Sequence, residues 1–98
     1  MAKAYWVTTY RSIKNPDALA AYSKLAGPAV LAAGGKFLLR GMPSTVWESG
    51  MMQRTVVVEY PNLKAALASH ESAGYQEALR ALGTGNVERD MRVVEGAE

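Results

Sequence analysis

Gln53-Arg54-Thr55-Val56-Val57-Val58-Glu59-Tyr60-Pro61-Asn62 is the most strand-like stretch of the chain. Its β-branched side chains suit a pleated, half-buried ribbon. Consecutive valines from Val56 to Val58 put apolar groups on both faces, whereas a strand with one wet face alternates apolar with polar residues. Pro61 ends the strand, and Asn62 is placed to cap a helix with Leu63, Ala66, Leu67 and His70 on one face. Ser72 reads as a fresh N-cap, followed by the stripe Tyr75, Ala78, Leu79 and Leu82. Gly83-Thr84-Gly85-Asn86 closes that helix, and Arg89 to Glu95 reads as a last strand.

The first half repeats the plan. Ala4 to Tyr10 reads as a strand with Tyr5, Val7 and Thr9 on one side and Trp6, Thr8 and Tyr10 on the other. Asn15-Pro16-Asp17 is a helix start: a cap, a residue suited to the first turn, and a negative charge at the positive end of the helix dipole. Leu19, Tyr22, Ala26, Ala29, Val30 and Ala33 form the helical stripe, with a kink expected near Gly27-Pro28 and a stop at Gly34-Gly35. Lys36 to Gly41 reads as a second strand, extended by Thr45 to Glu48, with a hairpin turn at Ser49-Gly50.

The resulting order, β-α-β-β-α-β, is the ferredoxin-like split pattern of the α+β class. It predicts a four-stranded antiparallel sheet with helices on one face, formed by residues 1–98 as a single domain. The other face is left bare, yet Phe37-Leu38-Leu39, Val56-Val57-Val58 and the first strand are apolar on both sides. A chain of 98 residues has no further element to cover it. A second copy, packed sheet to sheet, is the expected partner; the alternative is a monomer with an exposed apolar patch.

Composition excludes several function classes. Hydrophobic residues make up 49% and charged residues 20%, which rules out a disordered or low-complexity chain. The chain has no cysteine and one histidine, so thiolate chemistry and clustered Cys or His metal sites are absent, and no metal is expected. A net charge of +2 without a basic cluster argues against nucleic acid as a partner. Leu25 to Gly35, the longest uncharged run, falls well short of the ~18 apolar residues that span a bilayer, so no membrane role is expected. The N-terminus lacks the pattern of a secretory signal, and a cytoplasmic location is expected. Gly83-Thr84-Gly85 follows a helix where a dinucleotide fingerprint follows a strand, and no cofactor is expected.

Several stretches together resemble one family. These are Ala4-Tyr5-Trp6-Val7, Asn15-Pro16-Asp17, Gly34 to Gly41, Arg54 to Pro61, Ala65-Ala66-Leu67-Ala68, Ser72 to Gln76 and Val93 to Gly96. Their order and spacing resemble the family called domain of unknown function 1330, within the dimeric α/β barrel group. The resemblance implies a ferredoxin-like homodimer and no established reaction. Three positions depart from the family pattern: Met42 stands where a second glycine is usual, Ser69 and His70 where large aromatics are common, and Leu82 where the later helix often carries an arginine. If that arginine binds a ligand in relatives, the site here is lost or relocated; Arg80 lies nearby on another face.

Among residues that can carry chemistry, Arg40 sits at a strand end beside Gly41, where a planar guanidinium can grip a carboxylate or enolate. Glu59 is a candidate general base. The bland alternative is a cross-strand ion pair of Glu59 with Arg40 or Arg54. His70, the only side chain titrating near neutrality unperturbed, is either a proton carrier or a hydrogen-bonded boundary residue. Tyr75 can donate a hydrogen bond to a ligand or anchor its helix, and Trp6, Tyr10 and Tyr22 can line an apolar pocket or fill a small core. The expected function is a homodimer that binds a small, anionic organic molecule between sheet and helices. For an enzyme, the fold group implies cofactor-independent oxygenase- or isomerase-like chemistry; the alternative is a non-catalytic binding or structural dimer.

Overall fold

The computed structural model describes residues 2–97. Its elements are β1 (Ala4–Ile13), α1 (Pro16–Ala32), β2 (Lys36–Gly41), β3 (Thr55–Tyr60), α2 (Leu63–Glu71), α3 (Ala73–Leu82) and β4 (Val87–Glu95). The strands form one antiparallel sheet in the order β2-β3-β1-β4. This is the expected ferredoxin-like arrangement, with the second crossover divided into two helices. Ser72 divides them: its extended backbone breaks the helix, its hydroxyl donates to the Ser69 carbonyl at 2.8 Å, and it accepts the Tyr75 amide at 3.2 Å.

Local chemistry fixes the helix starts. Asn15 Oδ1 accepts the Ala18 amide at 3.1 Å, Pro16 fills the first turn where no amide partner is needed, and Asn62 caps α2 through the Ala65 amide at 2.8 Å. α1 passes through Pro28 as one helix to Ala32, and Gly34, at φ +92°, turns the chain out of it. Gly35 then passes so close to α1 that a Cβ there would lie 2.6 Å from Val30 Cγ1 and 3.0 Å from the Val30 carbonyl.

Some boundaries differ from expectation. β1 runs on to Ile13 because a bulge between Tyr10 and Ser12 lets it keep pairing with β4. Thr45 to Glu48 does not extend β2. Pro43 withholds an amide from any ladder there, and the segment instead turns at Glu48, where the Gly50 amide bonds the Trp47 carbonyl at 2.9 Å. On α2 the buried seam is Ala66 and Ser69, spaced i, i+3; Leu67 lies beside it and is half exposed, not inward as the stripe predicted.

The sheet's parity sorts the side chains. Trp6, Thr8, Tyr10, Val58 and Tyr60 are buried beneath the helices, with Ala26, Val30, Ala66, Tyr75 and Ala78 packed onto them. Tyr5, Val7, Val57 and Glu59 take the opposite parity and lie on the face without helices. That face also carries Leu39 and Val94, each about half exposed. No helix among the described residues is long and apolar enough to cross a membrane.

Candidate functional site

The centre of the site is a knot of tyrosines around one arginine. The β1–β4 register sets Arg89 opposite Tyr10 on the helix side of the sheet. From there Arg89 Nη1 donates to the hydroxyls of Tyr10 at 3.0 Å and Tyr22 at 3.3 Å, and Nη2 reaches the Tyr75 hydroxyl at 3.5 Å. The Tyr22 and Tyr75 hydroxyls are 2.7 Å apart, and Tyr75 donates onward to Met91 Sδ at 3.9 Å. With that direction fixed, the Tyr22 proton points to Tyr75 and its oxygen receives Arg89. The guanidinium carbon also lies 4.8 Å from the Tyr22 ring centre and 5.6 Å from that of Tyr10, within cation–π range.

Burial and charge set the protonation of this knot. Burial, then the neighbouring Tyr22, raises the Tyr75 phenol above its ordinary value despite the opposing pull of Arg89. Burial also raises Tyr60, whose hydroxyl lies 2.7 Å from Ser69 Oγ. For Arg89, burial works against the charge, but the attraction and hydrogen bond of Tyr22, with Tyr10 and Tyr75, outweigh it and raise the pKa. Arg89 is therefore held as a cation, and Tyr60 and Tyr75 are held in their neutral form.

Alkaline stability follows from these shifts. Above about pH 10, the ordinary phenol value, unfolded tyrosines lose protons while native Tyr60 and Tyr75 keep theirs. The unfolded state then binds fewer protons, so stability is intact below pH 10 and falls as pH rises beyond it. We expect each such phenol to contribute up to about 1.4 kcal/mol per pH unit, and Tyr75→Phe to flatten the fall. Urea unfolding between pH 8 and 11.5 checks this; an unchanged slope in Tyr75→Phe would contradict it.

Next to the knot, between α1 and the sheet, is a cavity of about 40 Å³. Trp6, Tyr10, Tyr22, Phe37 and Val58 supply its aromatic and apolar walls. Gly27 of α1 lines it too, and a Cβ there would meet nothing within 4 Å. Arg40, Arg54 and Arg89 all border the cavity, and its lining contains no carboxylate and no imidazole. Arg40 lies with its guanidinium carbon 4.5 Å from the Phe37 ring centre, at the mouth. Arg54 Nε is buried and has no hydrogen-bond partner among the described residues. A buried donor left unpaired costs about 1–3 kcal/mol, which an anion at this point would relieve.

The structure separates the residues singled out from sequence. Arg40 and Trp6 line the cavity, with Trp6 Nε1 donating to the Ala66 carbonyl at 3.0 Å. Tyr75 is fully buried one layer behind, its ring 4.9 Å from Trp6, and touches the cavity only indirectly, through Trp6, Tyr22 and Arg89. Glu59 is on the opposite face of the sheet, where Lys3 Nζ pairs with it at 3.1 Å; it pairs with neither Arg40 nor Arg54. His70 edges against Tyr75 and Trp6, but its Nδ1 lies 2.7 Å from Glu71 Oε2 and the ring does not line the cavity. Leu82 is buried in the core and Arg80 is exposed. Arg89 had no role in the sequence reading beyond opening a strand, although its spacing with Met91 and Val93 places a charge in an otherwise apolar row.

The chain thus combines an antiparallel ferredoxin-like sheet of the α+β class with an arginine-rimmed aromatic cavity under its first helix. The chain belongs to the family described as Domain of unknown function (DUF1330), whose profile matches residues 3–97. Comparison with curated proteins yields no match. Among solved structures, a protein of unknown function from Rhodopseudomonas palustris is similar at TM-score 0.77 and 17% identity, covering 99% of this chain and 84% of that one. A dimeric ferredoxin-like protein of unknown function from Thermobifida fusca matches at TM-score 0.65 and 17% identity, covering 97% and 92%. SnoaB from Streptomyces nogalater, a cofactor-independent oxygenase, matches at TM-score 0.66 and 10% identity, covering 100% and 96%. At these identities the likeness concerns the fold.

Proposed function

We propose that residues 1–98 form a single domain of a cytoplasmic homodimer that binds a small organic anion between α1 and the sheet. The observation that carries this reading is the convergence of Arg40, Arg54 and Arg89 on an aromatic cavity whose lining holds no carboxylate. Guanidinium groups bordering a partly apolar space without a counter-ion repel one another, and an anionic oxygen pair removes that cost. Glu59 and His70, the candidate proton carriers, lie outside the cavity, which favours binding over turnover as the role of this pocket. SnoaB's activity on the same fold supports the enzymatic alternative by analogy only.

Benzoate and short aliphatic acids are expected to raise the midpoint of thermal unfolding. In Arg54→Met their affinity falls at least tenfold, since a charge-assisted hydrogen bond contributes about 1.5–3 kcal/mol. Binding that ignores Arg54→Met would move the ligand elsewhere, and no shift with any acid would reject the reading.

The dimer rests on the open sheet face, where Val7, Val57, Leu39 and Val94 form an apolar surface that no helix among the described residues covers. The dimeric Thermobifida fusca protein shows that this fold can associate in pairs. Light scattering at micromolar concentration is expected to give a dimer, and Val57→Asp, which puts an unpaired charge at the centre of that face, a monomer. A monomeric wild-type protein overturns the assignment.

A further inference from the structure

The arginine cavity, at about 40 Å³, has room for a carboxylate and little more, since one water needs about 10–15 Å³ of such volume. A ligand held there must have the rest of its body elsewhere. The cavity opens at Arg54 and Ser23, which it shares with a neighbouring groove of about 570 Å³. That groove runs between the N-terminal half of α1 and the start of the β2–β3 connection, with Ile13, Pro16, Leu19, Ala20 and Met42 as its apolar walls. Among the described residues, Arg54 is the only charged one that lines it. Arg40 and Gly41 continue the surface on the far side of Met42, so guanidinium groups mark the inner end of the groove and apolar side chains the remainder.

Resting on the anion-binding reading above, we infer that the ligand is an amphiphilic acid. Its carboxylate enters the arginine cavity at the free Nε of Arg54, and its unbranched apolar chain lies along Ile13, Leu19 and Met42. The two compartments divide the work by chemistry. The cavity supplies donors and no acceptor charge, and the groove supplies an apolar wall that a chain can dehydrate. Its volume lies within the range of about 300–1,000 Å³ usual for small-molecule sites. Met42, with three rotatable bonds and a polarisable sulfur, can adjust to chains of different length.

The test is calorimetric titration of the intact protein with linear carboxylic acids from acetate to decanoate, and with 1-octanol. Affinity is expected to rise about three- to fourfold per methylene along the series until the groove is filled. Octanol should bind at least tenfold more weakly than octanoate. In the double variant Leu19→Gln, Met42→Gln, both at partly exposed positions, the gain per methylene should shrink while acetate, which has no chain to lay in the groove, binds as in wild type. Short acids that bind with no chain-length gain overturn this inference and leave the anion site standing. A gain that persists in the double variant overturns it as well, because the chain then lies elsewhere. No binding by any acid, or octanol equal to octanoate, overturns the anion site itself.

Discussion

Trp6→Ala is expected to lower the midpoint of thermal unfolding by roughly 15–30 °C. Removing a large buried aromatic costs about 3–5 kcal/mol, and a domain of this size loses about 4–8 °C per kcal/mol. The indole is 3% exposed near the start of β1 and holds three things together. Its ring packs 5.2 Å from Tyr60 and 4.9 Å from Tyr75, and its Nε1–H bonds the Ala66 carbonyl of α2 at 3.0 Å. Trp6→Phe separates these contributions: it keeps a ring between the tyrosines but leaves the Ala66 carbonyl without its indole donor. About 1–2 kcal/mol should be lost in that variant. Equal losses in the two variants would mean that the hydrogen bond, not the packing, is what Trp6 supplies. The same substitution opens the cavity wall, so acid binding should weaken in Trp6→Ala even at temperatures where the protein stays folded.

Much of this fold was legible because it depends on local chemistry. Asn15 with Pro16, Asn62 and Ser72 each mark a helix start, and each side chain makes the capping bond its type predicts. The site was less legible because it depends on strand phase across the sheet. Arg40 shows why. Without a bulge, Phe37 and Leu39 would share a face and Arg40 would lie opposite them. The irregularity between Phe37 and Leu39 pairs Phe37 with Val58 and Arg40 with Val56, which brings Arg40 round to the helix side. Nothing in Lys36 to Gly41 announces that extra residue. Glu59, by contrast, follows simple alternation: it is out of step with Val58 and Tyr60, so its place on the open face beside Lys3 could have been read from parity.

Arg89 was hidden for a related reason. Its importance lies in the β1–β4 register, which sets it opposite Tyr10, and in α1 and α3 bringing Tyr22 and Tyr75 to the same point. Those positions are 14 to 79 residues away in sequence. A partly buried arginine with no carboxylate is affordable here because phenol oxygens accept its hydrogens and phenol rings face its charge.

Arg89→Met should therefore cost about 1–3 kcal/mol of stability in denaturant unfolding. The lost charge-assisted hydrogen bonds outweigh the desolvation that the arginine no longer suffers. Tyr22 and Tyr75 can still bond each other across 2.7 Å, whereas Tyr10 loses its donor and its hydroxyl is left at the cavity wall. Arg89→Lys should not restore the loss, because a single ammonium cannot reach the Tyr10, Tyr22 and Tyr75 hydroxyls from one planar fork. The cycle of Arg89→Met with Tyr22→Phe provides the check. The double variant should be more stable than the sum of single losses implies, by about 1 kcal/mol, because each single change already breaks the shared bond. Strict additivity would show that Arg89 and Tyr22 are neighbours without coupling. In that case the knot would be packing alone, and the fork would have no part in presenting a cation to the cavity.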